Sequence, residues 1–224
     1  MSRLRLLLID ESIKDLSDTG LLREFSNETA QWYPVMPKLG AEPIRKAALI
    51  NAAIATVGRA GSLDVTVAQI AREAGMSSAL AHHYFGSKER IFLAAMRHIL
   101  TQYGTSTRTA LRGAGTPQDR LRAIVGASFD SANFERETIA AWLNFYALAL
   151  VEPEAARLLR VYHRRLSSNL LVALRPLAGA GAERIARTLG ALIDGLYLRA
   201  ALSNEADAAA AERTTLDYLE KVLP

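Results

Sequence analysis

An all-α fold is predicted by three features of this sequence. Half of its 224 residues are apolar, with Ala and Leu recurring throughout. Runs rich in Val, Ile and Thr with period-two alternation are absent, so strands have no place to form. Helix-starting and helix-stopping signals punctuate the chain instead. A chain of this length buries a substantial core, as one large domain or as a small domain joined to a larger one.

Taken in order, residues 1–35 are acidic and irregular, and they close with Trp32-Tyr33-Pro34-Val35 before Met36-Pro37-Lys38. They are expected to lie outside the fold, with Met36 as the ancestral start. The apolar stretch Leu4 to Ile9 ends at Asp10 and Glu11, too soon for a signal peptide or a membrane span. Pro43 suits a first helical position, Ile44, Ala48 and the run to Val57 give an apolar face, and Gly58 with Gly61 is expected to end that helix. Thr66 then opens a short helix as a capping box with Gln69. Val67, Ile70, Ala71 and Ala74 follow at helical spacing, and Gly75 stops it. A second short helix is predicted from Ser78 to Phe85, with Ala81 and Phe85 facing inward beside Met76, and Ser78, Ala79, His82 and His83 facing outward. Longer helices follow Ser87, separated at Gly113-Ala114-Gly115, near Glu152-Pro153, at Gly179-Ala180-Gly181 and around Ser203-Asn204. Thr116-Pro117 reads as cap and first-turn proline, and Glu135 to Leu150 reads as a helix.

Charge and composition narrow the function. Residues 36–98 carry eight bases and four acids, whereas residues 1–35 carry four and six and residues 99–224 carry fifteen and thirteen. The positive excess therefore lies in the segment from Met36 to His98, which contains the two short helices and suits a polyanion partner. There is no cysteine, which excludes disulfides, thiolate metal sites and a cysteine nucleophile. The four histidines form no His-Glu-x-x-His pattern, and no glycine-rich phosphate loop or nucleophile elbow occurs. No catalytic residue, metal or cofactor is expected, and the chain reads as a non-secreted, cytoplasmic protein with no membrane partner.

Two short helices joined by Gly75-Met76-Ser77 form the pattern of a helix-turn-helix, whose second helix enters the major groove of duplex DNA. The segment from Thr66 through Ser77, followed by His83-Tyr84-Phe85-Gly86-Ser87-Lys88, resembles the DNA-binding signature of the TetR family. Further blocks are similar to the BetI subgroup, which represses genes for making glycine betaine from choline. These blocks are Met36 to Gly40, Ile44-Arg45, Leu121 to Gly126, Arg164-Arg165 with Ser168-Asn169-Leu170, and Ala191 to Ser203.

The resemblance implies an N-terminal three-helix DNA-binding domain, placed here at residues 36–87. A helical ligand-binding and dimerisation domain at 88–224 would follow, with the last two helices pairing two copies. It implies that Ser78, Ala79, Leu80 and His83 face base edges, and that Thr66, Ser77, His82, Tyr84 and Lys88 sit near phosphates. Many family members have tyrosine where this chain has His82. The partners implied are a near-palindromic operator, a second copy of the chain, and a small effector such as choline. Trp142, Phe145 and Tyr146 share a helix at i, i+3, i+4, and with Tyr103 and Phe129 they are candidates to surround a quaternary ammonium. The same stripe would equally serve to pack one helix on its neighbours. Asp194 stands in an apolar helix and is expected to bond across the dimer interface with Gly195, Leu198, Leu202, Leu216 and Leu219 around it, a place beside the ligand being the alternative. A regulator answering to another ligand, and a helical interaction protein that binds no DNA, are the other readings.

Overall fold

A computed structural model describes residues 41–130, 134–203 and 206–224. The expectations for residues 1–35 and for the Met36 to Gly40 block lie outside the described residues. No strand occurs among the described residues, and their helices are α1 (Ala41–Ala60), α2 (Val67–Glu73), α3 (Ser78–Phe85), α4 (Lys88–Arg112), α5 (Pro117–Ser128), α6 (Arg136–Ala149), α7 (Pro153–Ala178), α8 (Ala182–Leu202) and α9 (Ala208–Val222). None of these is long and apolar enough to cross a membrane.

Local chemistry sets most of the helix ends. At α2, the Gln69 amide donates to Thr66 Oγ1 at 3.2 Å and the Thr66 amide donates to Gln69 Oε1 at 2.7 Å, so two backbone donors are satisfied reciprocally. Thr116 and Asp119 make the same box at α5, with Pro117 in the first turn. The hydrogen bonds from Thr116 hold the Asp119 carboxyl below the usual carboxylate range. Ser77 and Ser87 cap α3 and α4 by accepting from the Leu80 and Arg90 amides.

Two details of α1 differ from the sequence reading. The helix is already formed at Ala41, ahead of Pro43. Gly58 does not end α1, which runs on to Ala60, and the stop is Gly61 at φ +63°.

One connected core runs through the described residues. Leu49, Val57, Ile70, Ala81, Ile91 and Met96 fill the space among α1 to α4. Ile124, Phe145, Leu170, Leu174, Ile185 and Leu189 fill the space among α5 to α8. The two parts meet where α6 packs along α1.

Candidate DNA-reading head and ligand cavity

Helix α3 stands on a small apolar base. Ala81 is fully buried, Phe85 is half-buried against the core, and Ala79, His82 and His83 are exposed. Gly75, at φ +67°, makes the turn that sets α3 across α2. The first turn of α3 therefore offers Ser78, Ala79 and Leu80 with little side-chain bulk between backbone and partner. Among the residues expected near phosphates, several already have partners. His82 Nδ1 lies 3.2 Å from the Gly86 carbonyl, so when the imidazole is neutral and donates there, Nε2 is left to accept. Arg45 of α1 donates to the Tyr84 hydroxyl at 3.4 Å, and Lys46 lies 6.0 Å from the Tyr84 ring. Lys88 Nζ donates to the Leu63 carbonyl at 3.4 Å, tying the start of α4 to the loop before α2. Arg45 and Lys46 are thus two basic residues flanking the reading helix. The sequence signal for them was the local positive excess.

The body holds a narrow cavity of about 20 Å3 between α4, α5, α6, α7 and α8, room for about one water and far below the roughly 300 to 1,000 Å3 usual for small-molecule sites. Its walls are Tyr103, Trp142, Tyr162 and Tyr197, with Ile99, Leu100, Ser128 and Thr138 between them. Tyr103 and Tyr162 meet edge to face at 5.5 Å, as do Trp142 and Tyr162 at 5.3 Å. Two hydroxyls are fixed at Ser128: Tyr103 Oη lies 3.4 Å from its Oγ, and Tyr197 donates to its carbonyl. Burial, reinforced by the negative charge of Asp194, pushes the Tyr146 and Tyr197 hydroxyls well above the ordinary tyrosine range. Burial likewise raises Tyr103 and Tyr162, with Asp194 again among the contributing charges. The cavity is therefore aromatic, neutral in its own walls, and close enough to one carboxylate for all of its tyrosines to sense it.

Of the five aromatics named from the sequence, Tyr103 and Trp142 line the cavity. Tyr146 lies beside Trp142 at 5.5 Å and donates to Asp194 Oδ1 at 2.9 Å. Phe145 and Phe129 do not line it: the first is 1 % exposed in the core, and the second stacks on Tyr197 and meets Phe134 edge to face. Tyr162 and Tyr197 complete the walls from α7 and α8. Their aromatic character is visible in the sequence, but helices distant along the chain bring them together.

The residues expected at a dimer interface divide. Leu198 and Leu202 are exposed at 46 % and 78 %, and the space above Gly195 is open. Leu216 is half-buried, and Leu219 is buried within its own chain. The Asp194 carboxylate turns to its own chain, held by Tyr146 and lying 3.4 Å from His163 Nε2.

The joint between head and body is close. A Cβ on Gly58 of α1 would stand 2.5 Å from the Glu137 carbonyl oxygen of α6, so only glycine permits this approach. Beside it, Arg59 reaches Glu73 of α2 at 2.8 Å and Glu137 at 3.8 Å. Thr138, the next residue of α6, lines the cavity.

A helix-turn-helix head carried on a helical body with a partly open aromatic cavity defines a ligand-binding DNA regulator. The chain matches the tetR family of bacterial regulatory proteins over residues 49–95 and the C-terminal domain of BetI-type transcriptional repressors over residues 117–224. The HTH-type transcriptional regulator BetI of Brucella suis (strain ATCC 23445) is 54 % identical over 186 residues, covering 82 % of this chain and 94 % of that protein. The BetI regulator of Rhizobium meliloti (strain 1021) is 49 % identical over 170 residues, covering 75 % and 84 %. Among solved structures, a transcriptional regulator from Saccharomonospora viridis in complex with choline superposes with a TM-score of 0.73 at 21 % identity, covering 81 % of this chain and 98 % of that one. A transcriptional regulator from Pseudomonas aeruginosa PAO1 superposes with a TM-score of 0.63 at 26 % identity, covering 80 % and 90 %. The chain belongs to the TetR family, as a DNA-binding transcriptional repressor of the BetI type. Members of this family bind DNA operators and small effectors, and they are regulators rather than enzymes.

Proposed function

We propose that this repressor acts in the cytoplasm as a homodimer on a near-palindromic operator, controls genes that convert choline to glycine betaine, and leaves that operator when choline pushes apart the walls of the aromatic cavity and enters it. Residues 36–87 form the reading head and residues 88–224 the sensing and pairing body. Ser78, Ala79, Leu80 and His83 meet base edges. Thr66, Ser77, His82, Tyr84 and Lys88 lie along the phosphates, with Arg45 and Lys46 behind Tyr84. Lys88 exchanges its bond to the Leu63 carbonyl for a phosphate, which adds charge to the hydrogen bond.

The observation that carries the effector assignment is the box of Tyr103, Trp142, Tyr162 and Tyr197. A quaternary ammonium has no hydrogen to donate, so it is recognised through aromatic faces, each contributing about 0.5 to 2 kcal/mol when desolvated. The Asp194 charge adds long-range attraction without touching the cation. The choline complex of the Saccharomonospora viridis regulator, a protein of the same fold, supports the class of ligand.

Coupling needs little energy, because a tenfold change in operator affinity is about 1.4 kcal/mol of differential binding. Two routes lead from the cavity to the head. Helix α4 carries Ile99, Leu100 and Tyr103 in the cavity and Lys88 at its other end. Helix α6 carries Thr138 in the cavity and Glu137 against Gly58 and Arg59 of α1. Titrating choline into the complex with DNA from upstream of the protein's own gene should release it, and Trp142→Leu should blunt that release while operator affinity stays within twofold. If millimolar choline neither releases the operator nor raises the melting temperature of the free protein, the effector assignment fails and DNA binding stands.

A further inference from the structure

An open groove of about 600 Å3 runs between α4 and α7, and it shares Leu100, Tyr103 and Tyr162 with the aromatic cavity. Its lining holds three arginines, Arg97 and Arg108 from α4 and Arg165 from α7, and no acid among the described residues. Arg97 is neutralised by its ion pair with Glu154. Arg108 donates only to the Thr105 hydroxyl, and neither Arg108 nor Arg165 has an acidic partner among the described residues. Two positive charges therefore face a groove that supplies no counter-charge of its own.

The groove is also built to admit a ligand. Arg165, Ser168 and Asn169 stand at i, i+3, i+4 and so present one face of α7, and the Ser168 and Asn169 side chains have no hydrogen-bond partner among the described residues. Opposite them, Gly104 leaves open space where any other side chain would fill the floor. Guanidinium forks matched with hydroxyl and amide donors are the set that binds a carboxylate or a phosphate.

We propose that the α4–α7 groove is an oxyanion site joined to the cation cavity at Tyr103 and Tyr162. The repressor then discriminates among quaternary ammonium compounds by their second group. The alcohol of choline can accept only a single hydrogen bond without opposite charge from Arg108 or Arg165, whereas a carboxylate or phosphate on the same ammonium gains charge-assisted bonds from both. A sensor arranged in this way reads zwitterionic products or esters of its cation together with the cation itself. The pairing of the two sites rests on the cavity reading above, but the groove has a test of its own.

Calorimetry on the full-length protein, with choline, glycine betaine, phosphocholine and inorganic phosphate as separate probes, tests this. Phosphocholine or glycine betaine should bind at least tenfold more tightly than choline, and the preferred one identifies the anion. Arg165→Gln and the double variant with Arg108→Gln should remove that advantage, Arg165→Lys should restore part of it, and the melting temperature of each should show that it folds. The groove assignment is overturned if neither zwitterion outbinds choline, or if the advantage survives the double variant. Arg165-dependent phosphate binding without any binding of choline would sustain the groove and sink the cation reading, and no binding by any probe would sink both.

Discussion

His83 and Lys88 both stand in the DNA-binding signature, but their surroundings separate them. His83 is exposed on α3 beside the Tyr84 ring at 5.4 Å and is free to meet a base edge. Changing His83 to Ala should therefore shift preference at one or two operator positions, where a good base contact contributes about 1 to 3 kcal/mol. Lys88→Ala should instead weaken all duplexes alike and lower the salt slope by about 1. A binding-site selection with each variant checks this, and a uniform loss for His83→Ala would remove it from the base edges. The buried tyrosines give a second outcome. Tyr103, Tyr146, Tyr162 and Tyr197 are all raised in the folded chain, whereas unfolded tyrosines ionise near 10. Above about pH 10 the unfolded chain releases protons that the folded chain keeps, so stability is intact below that value and falls as pH rises through it. Denaturant midpoints should drop between about pH 9 and 11, less steeply in Tyr162→Phe, and an unchanged slope in that variant would contradict the burial argument. At this scale the sequence is legible where partners are neighbours along the chain. The Thr66–Gln69 box joins residues three apart and was readable, whereas the Tyr197 to Ser128 bond joins residues 69 apart and was not.

Helix boundaries were readable for the same reason. The starts at Thr66 and Thr116 and the span of α3 depend on caps, first-turn proline and glycine at φ > 0, all local devices. What the periodicity of α6 left open was its neighbours. Its aromatic stripe divides between cavity and core, with Trp142 to the first and Phe145 to the second, because α1 and α8 flank it on residues far away in sequence. Gly58 looked like a helix stop and is a contact point. The distinction lies in the backbone of Glu137 beside it, which no local signal announces. Gly58→Ala must push α6 from α1, at a cost of about 1 to 3 kcal/mol for overpacking. The same displacement moves Thr138 in the cavity wall, so choline release should weaken in parallel with the loss of stability. Thermal melts and operator titrations on one preparation measure both, and a variant that melts and responds as the parent does would show that this contact is slack.

For the whole molecule, the decisive surface is the outer face of α8. Gly195 opens a space there, and Leu198 and Leu202 follow one and two turns on, exposed at 46 % and 78 %. Exposed leucines are ordinary when scattered, but two on one helical face beside a bare glycine are suited to a second helix at close range. Leu219 is already used inside its own chain, so pairing through α9 would have to use its flanks rather than that residue. Two copies joined along α8 carry two reading heads, and helix-turn-helix dimers meet grooves about one helical turn apart, roughly 34 to 36 Å. Sedimentation should give a dimer at micromolar concentration, and Leu198→Glu with Leu202→Glu should give a folded monomer. That monomer should lose the steep preference for the full palindrome and bind half-sites and full sites alike. Inserting about five base pairs between half-sites turns the two grooves to opposite sides of the duplex, so the parent dimer should fail on that operator as well. Binding should also fall steeply with salt in every case, since each head neutralises phosphates and releases counterions. A parent protein that sediments as a monomer, or a double variant that keeps full preference for the palindrome, would place the pairing surface elsewhere and detach the operator spacing from α8.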